Sequence, residues 1–348
     1  MKTPLVSIVI LNFNGKDYTK NLLDSIEKID FPKEQIEIIV VDNGSSDGSQ
    51  EFVRKNYPYV KQIENKKNLG FDEGTNVGVR AAKGKYVAML SNDIVVEKNW
   101  LKELVRAIES DKKIGIVDPT ALNKMPDGKY VDEGYGTTSL FHTLAFRNDV
   151  NGKPETYVRL LTSSAACLYR RELVDVPFDK DYFAYAEDTY FGLKVRLMGY
   201  EIIQAPKAIF YHEGSATIKK INLNRYFDFL AERNKILNIL TIFETKTLIK
   251  LIPLYLMFAV MVNIYDIKTI KIRVKAFCWI IGNFGTVLEK RKKIQALRRI
   301  KDKELFPLMS SKLKDEKTIR GTVKKFIARI FNGMSFFYCR FVGIKTMN

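Results

Sequence analysis

The sequence predicts an α/β fold with a mostly parallel sheet covered by helices on both faces, followed by a basic helical C-terminal region. Three observations predict it. Short β-branched or apolar runs, Leu5 to Leu11, Ile36 to Val41 and Tyr86 to Leu90, each stop at Asn, Asp, Ser or Gly, as buried parallel strands do where they leave a sheet. Helical stretches alternate with them over Asp17 to Ile29, Ser49 to Asn56, Asp72 to Ala82 and Lys98 to Ser110, and that alternation builds right-handed βαβ units. Charge divides the chain: residues 1–245 are balanced, and residues 246–348 hold the whole excess of +17.

The length of 348 residues allows one large domain with an appendage, or two domains. An apolar fraction of 46% without low-complexity tracts or repeats excludes extensive disorder. Cys167, Cys278 and Cys339 form no CxxC pair, so neither a zinc knuckle nor a disulfide framework is expected, and a reducing compartment fits. The opening "MKTPLVSIVILNFNG" reads as a first buried strand, since it lacks the small-residue pattern of a signal-peptide cleavage site.

In parallel sheets, ligands bind beyond the carboxyl ends of the strands. Here those ends run into "NFNG", "DNGSSDGS" and "SND". Asp42, closing "IEIIVV", is placed to accept bonds from a ribose hydroxyl or a base N–H, while Asp47 is the better candidate to cap the next helix. Asn14, Asn43 and Asn92 share these strand-end turns and are grouped with Asp42 as binding candidates. Gly70, Gly74, Gly78 and Ala82 lie four apart, a stripe that suits close approach of a ligand or bland helix packing equally. Asn68 and Gly70, at the helix entrance, have the better claim to contact a nucleotide. Asp93 sits past a strand end with no basic neighbour in sequence, which suits a hard-cation ligand or, more plainly, a turn-forming Asn-Asp pair.

Residues 120–160, rich in Gly, Tyr, Asn and Thr, read as a loop-rich or small-strand insertion facing the substrate side. From Ser164 follow a strand, a turn and a helix starting near Glu187, in which Phe191, Val195 and Met198 share one face. Glu187 and Asp188 at that helix start are either capping groups or a general base, with Tyr182, Phe183 and Tyr185 lining an acceptor groove. His212, one of two histidines, follows a strand-like run and is a candidate metal ligand; His142 in "LFHTLAF" reads as a packed or surface residue.

Five stretches, "VSIVILNFNG", "IIVVDNGSSDGS", "NLGFDEGTNVGVRAAKGKYVAMLSND", the segment from "AACLYRRELV" through "YFAYAEDTYFGLKVRLMGY", and "YHEGSAT", in this order resemble the family 2 glycosyltransferases of the GT-A fold. Within that family they are similar to the rhamnosyltransferase- and galactofuranosyltransferase-like branch, over roughly residues 5 to 240. The resemblance implies an inverting transfer from a nucleotide-sugar donor, dTDP-rhamnose or a UDP-sugar, to a glycan or polyprenyl-linked acceptor. It also implies that Asp42 binds the nucleotide, that Asp93 and His212 hold a divalent cation such as Mn2+ or Mg2+, and that Asp188 is the catalytic base. Two departures stand out: the DXD motif reads Ser91-Asn92-Asp93, and Tyr190 replaces a second Asp after "ED". A sugar nucleotidyltransferase is the rival enzyme, disfavoured because "NFNGKDY" lacks its Arg- and Lys-bearing phosphate loop. A non-catalytic glycan-binding or scaffold subunit is the other alternative.

The expected division is a catalytic domain over residues 1–245 and a membrane-associating region over residues 246–348. That region contains two short, interrupted apolar segments, Leu248 to Tyr265 and Ala276 to Leu288, flanked by Lys and Arg. Such segments favour helices lying in a membrane interface, or a re-entrant pair, over one clean crossing, with an ordinary amphipathic appendage or oligomer interface as the alternative. Cytoplasmic residence, peripheral to the inner face of the cell membrane, follows; nucleic acid is excluded as a partner because the charge is interleaved with apolar segments and no recognition motif is present.

Overall fold

The structure, a computed structural model, describes residues 5–124, 129–132, 135–142, 144–147, 158–160, 166–212, 224–265, 267–312 and 321–347. Strand β1 (Val6–Asn12) is followed by α1 (Lys16–Glu27), β2 (Ile36–Asp42), α2 (Ser49–Asn56), β3 (Lys61–Glu64), α3 (Gly70–Ala81), β4 (Tyr86–Ser91), β5 (Ile94–Val96), α4 (Trp100–Glu109) and β6 (Ile114–Lys124). Short strands β7 (Tyr130–Asp132), β8 (Tyr135–Thr138), β9 (Leu144–Arg147), β10 (Val158–Leu160) and β11 (Leu168–Arg170) precede α5 (Glu187–Leu197) and β12 (Glu201–His212). The described helices after that are α6 (Asn224–Ile242), α7 (Thr245–Tyr265), α8 (Ile270–Gly282), α9 (Phe284–Ala296) and α10 (Thr322–Phe341), with a single turn at Asp302–Leu305.

The main sheet runs β10-β12-β6-β11-β4-β1-β2-β3. Its right half, β4-β1-β2-β3, is wholly parallel. On the left, β6 and β12 are parallel, and β11 sits antiparallel between β4 and β6. The sheet is therefore mixed although mostly parallel. Local patterning exposes strands but not their order, so the β11 insertion was not visible in sequence.

Every residue of β1 is buried, because both faces of the sheet are covered. Val6, Ile8 and Ile10 pack in the core that contains Trp100, Leu101 and Leu104 of α4. Val9 and Leu11 point the other way, into the core with Val79 of α3 and Phe191 and Val195 of α5. Period-two alternation thus feeds two separate cores. Helix α5 is buried from Thr189 to Leu197 except at Lys194, not on one face only, and Met198 stays partly exposed.

Register positions the strand ends. Asn12 lies opposite Asp42, and Leu11 opposite Ser91, so the three polar turns emerge at one level of the sheet edge. Since β1 is flanked by β2 on one side and β4 on the other, this edge is the topological switch point where α/β sheets bind ligands. His212 reaches the same region because β12 pairs with β5 in the register His212 to Ile94, setting it beside Asp93.

A third core joins α5, α6 and the C-terminal helices. It contains Tyr182, Leu193 and Leu197 together with Phe243, Leu254, Ile280 and Phe331, residues from both sides of position 245. Phe141 stacks on Phe258 there at 4.6 Å between ring centroids. His142 is buried against Phe243, and burial pushes its imidazole down to about pKa 3, which fits the packed reading. Part of the 120–160 insertion lies outside the described residues; its described parts are the end of β6, strands β7 to β10 and residues 139–142.

Candidate active site

The six donor-binding candidates fall into one hydrogen-bonded network. Asp42 is buried, and its carboxylate accepts from Asn12 Nδ2 at 2.8 Å, Ser45 N at 2.8 Å and Gln50 Nε2 at 2.7 Å. A carboxylate has about four acceptor positions, so one stays open among the described residues. Asn92 donates Nδ2 to Asn12 Oδ1 at 2.8 Å, and Asn14 accepts from Ser46 N at 2.8 Å. Asn43 donates to Asn68 Oδ1 and to the Gly70 carbonyl, and accepts from Asn65 Nδ2 and Leu69 N. Its amide is fully used, which fixes the 65–70 loop and presents Asn68 and Gly70.

Glycine is required at two points of this edge. A Cβ on Gly15 would lie 2.1 Å from Asn92 Nδ2. Gly70 has φ +83°, and a Cβ there would meet the Phe183 carbonyl oxygen at 2.5 Å. Phe71 N donates to that carbonyl at 2.6 Å, so the start of α3 is pressed against the loop that leads to Asp188.

Asp93 and His212, separated by more than a hundred residues, come together with Nε2 to Oδ2 at 3.4 Å. Ser91 Oγ donates to Asp93 Oδ1 at 2.5 Å, and His212 Nδ1 lies 3.0 Å from Asn123 Oδ1, which orients the ring. Burial pushes the Asp93 carboxyl up, but the bonds from His212 and Ser91 outweigh it and hold the group below the usual carboxylate range. Among the described residues no set of three or more His, Cys, Asp and Glu side chains is placed to hold a metal ion. The pair offers one carboxylate and one imidazole, a mixed donor set that suits a divalent ion such as Mn2+ better than Mg2+.

The third group is the loop before α5. Phe183, Tyr185 and Ala186 have φ of 67°, 70° and 65°, and left-handed backbone costs a non-glycine residue about 1–2 kcal/mol. Helix α6 holds it. Asn234 donates Nδ2 to the carbonyls of Tyr182, Ala184 and Tyr185 at 3.2, 2.9 and 2.8 Å. Asn238 donates to the Ala186 carbonyl at 3.0 Å and accepts from the Tyr182 hydroxyl at 2.9 Å. Arg233 donates to the carbonyls of Asp181 and Tyr182. Lys290 of α9 adds ion pairs to Asp179 and Asp181 at 2.5 and 2.8 Å.

What this clamp presents is a pair of carboxyls, Glu187 and Asp188, in the first turn of α5. Burial raises Asp188 to about 7; burial, then the neighbouring Asp188 charge, raises Glu187 further. Asp72 of α3 joins them. It is fully buried, both its oxygens lack a hydrogen-bond partner among the described residues, and burial, then Glu187 and Asp188, hold it well above the carboxylate range. Tyr182 is buried and does not line the groove, because its hydroxyl is spent on Asn238; Phe183 and Tyr185 stay partly exposed, edge-on to Tyr226 and Phe227.

Sequence reading missed Asn12, Gln50, Asp72 and the clamp residues Arg233, Asn234 and Asn238. The one signal for the clamp was two asparagines four apart on α6, which share a helix face.

With this arrangement in place, likeness to known proteins becomes informative. Residues 7–176 match the family model "Glycosyl transferase family 2". The chain is a glycosyltransferase. An uncharacterised glycosyltransferase of Haemophilus influenzae is 27% identical over 269 residues, 69% of this chain and 80% of that relative. The crystal structure of S. aureus TarS 1-349 in complex with UDP superposes with a TM-score of 0.52 at 20% identity, over 95% of this glycosyltransferase and 88% of that chain. GalNAc-T7 with UDP, GalNAc and Mn2+ superposes with a TM-score of 0.54 at 18% identity, covering 69% of this chain but only 48% of the other. At those identities the two structures establish the GT-A fold.

Proposed function

We propose that this glycosyltransferase moves a sugar from a nucleoside-diphosphate sugar to a glycan or polyprenyl-linked acceptor, with inversion at the anomeric carbon, in cell-surface polysaccharide synthesis. The observation that carries this reading is the meeting, at one sheet edge, of a hydrogen-bonded asparagine network, the Asp93–His212 pair and a carboxyl pair with raised pKa. A UDP-sugar is supported by the UDP in both structural relatives; dTDP-rhamnose is the donor suggested by the branch the sequence resembles.

Asp42, Asn68 and Gly70 would bind the nucleoside, with Asn14, Asn43 and Asn92 shaping the same turns. Asp188 accepts the proton of the acceptor hydroxyl as its oxygen bonds to the anomeric carbon; the bond from that carbon to the diphosphate breaks, and its electron pair leaves with the diphosphate. Asp93 and His212 would hold a divalent ion, which when bound neutralises charge on the leaving group. Glu187 and Tyr185 would contact the acceptor. A raised pKa suits Asp188 to this role, since a base works best near the operating pH.

For residues 246–348 the proposed role is membrane association, with residues 1–245 as the catalytic part and the enzyme peripheral to the inner face of the cell membrane. Two features support it. Ile249, Ile252, Leu256 and Val260 form an exposed stripe on α7, and Val274, Phe277 and Ile281 form another on α8. Helix α7 is the one described helix long and apolar enough to cross a bilayer, yet Leu251 and Leu254 are buried against the protein, which favours lying in the interface.

The test is transfer of radiolabelled sugar by the purified protein from a panel of donors, with and without Mn2+. A metal-dependent product that Asp188→Asn fails to make supports the mechanism; near-normal transfer by that variant overturns the assignment of the base.

A further inference from the structure

Helix α10 carries an unbroken apolar stripe, Val323, Phe326, Ile330, Met334, Phe337 and Phe341, spaced by three or four residues and exposed along its length; Phe337 is 72% and Phe341 88% exposed. The opposite face, with Ala328, Phe331, Ser335 and Cys339, is buried. Where α10 crosses α7, the Tyr338 hydroxyl donates to the Lys250 carbonyl at 2.7 Å, and Lys250 Nζ donates to the Val342 carbonyl at 2.9 Å. Between the two helices lies a groove of about 690 Å³ walled by Leu254, Met257, Arg329, Ile330, Met334 and Phe337, a volume within the range of small-molecule sites. Gly333 lies in its wall, with nothing within 4 Å of where a Cβ would stand.

We infer that this groove binds the aliphatic chain of one anionic phospholipid, whose phosphate is held by Arg329 in the groove wall. The inference rests on the membrane-associating role proposed above for residues 246–348 and adds to it a discrete lipid site. Charge selects the occupant. Neither α7 nor α10 contains an Asp or Glu, whereas together they carry Lys246, Lys250, Lys324, Lys325, Arg329 and Arg340. A second copy seated on the same face would set these cations against their own equivalents, and repulsion disfavours such an isologous contact. An anionic bilayer instead matches the cations of the two helices and the apolar stripe at once. The groove gives that contact depth, since a chain leaving the bilayer finds apolar walls from two helices.

The probes are vesicles of phosphatidylglycerol and of phosphatidylcholine, with the full chain in wild-type form, as Gly333→Trp, which fills the groove, and as Gly333→Ala, which leaves it open and controls for folding by its thermal transition. Vesicle sedimentation reads the membrane role. Native mass spectrometry after extraction into detergent reads the lipid retained. Wild type and Gly333→Ala are expected to retain one phosphatidylglycerol, and Gly333→Trp to lose about tenfold of that retention while vesicle binding falls by less than about threefold, because the stripes and cations remain. Equal retention by Gly333→Trp, equal retention of phosphatidylcholine, or no lipid retained by a wild type that does sediment with vesicles would each overturn the groove and spare the membrane role. A wild type that retains phosphatidylglycerol but fails to sediment overturns the membrane role and leaves the groove standing. Loss of a dimer in Gly333→Trp would assign the groove to a second copy and overturn the lipid.

Discussion

The donor edge and the catalytic loop solve opposite problems. Around Asp42, side chains answer one another: the buried amides of Asn12, Asn43 and Asn92 all find partners within the network. Around Asp188, the backbone is left-handed at three non-glycine residues, and the oxygens of Asp72 and one of Glu187 have no partner among the described residues. Satisfied polar networks rigidify, which suits recognition of a fixed nucleotide. Strain and unpaired buried carboxyls cost stability but raise pKa values, which suits proton transfer. The proposed recognition residues sit at the ends of the sheet strands, and the proposed base at the end of a loop that α6 restrains from outside.

Removing the base should produce the largest effect and would separate the two regions cleanly. Asp188→Asn is expected to lower kcat by about 10²–10⁴-fold while the affinity for nucleotide, measured by calorimetry, stays within about threefold. Parallel losses of both would mean that the two regions are not independent.

Asn234→Ala comes next. It removes three bonds to carbonyls of a strained loop, each worth about 1 kcal/mol net, so the loop relaxes and Asp188 moves. The expected outcome is a fall in kcat of about 10–100-fold with KM for the donor unchanged, since a base displaced by an ångström loses about that much. Partial rescue is expected in Asn234→Gln, which keeps the amide donor, and not in Asn234→Leu. A loss confined to thermal stability, with kcat intact, would make the clamp merely structural.

At the donor edge, Asn12→Ala should act on binding instead. It strips a donor from Asp42 and an acceptor from both Asn92 and Thr19, leaving buried groups unpaired at about 1–3 kcal/mol each. Donor KM should rise by about tenfold or more and the thermal transition should fall, with kcat changing far less. Unaltered donor KM would show that the network does not position the nucleotide.

This contrast explains what the sequence could disclose. Strand ends at "NFNG", "VVDN" and "LSND" were legible because polar residues that stop apolar runs mark themselves, and the register that levels them follows from parallel pairing. The Asp93–His212 pair was legible as a pair of candidates through the scarcity of histidine, but its geometry depends on β12 reaching β5. The loop at 181–186 was not legible: nothing local marks Phe183, Tyr185 or Ala186 as left-handed, since the bonds that hold them come from α6, about fifty residues on. Asp72 hid among small residues at a helix start, where a carboxylate is ordinary. Its burial comes from packing α3 against that same loop.

Asp72 offers the finest test of the contrast, because it bears on stability more than on rate. Its folded-state pKa is raised above the ordinary carboxylate value, as are those of Asp188 and Glu187. Between the unfolded value, about 4, and the folded values, the native state binds more protons than the unfolded chain. The contribution of these groups is therefore fully present below about pH 4 and is lost as pH rises through the folded pKa values. Thermal stability should fall from pH 5 to pH 8, and Asp72→Asn, which cannot ionise, should flatten that slope. With Asp188 as the proposed base, the acid limb of kcat/KM should stay near pH 7 in both proteins. If Asp72 is instead ionised beside the base, its substitution removes a repelling charge, and the limb must move to lower pH.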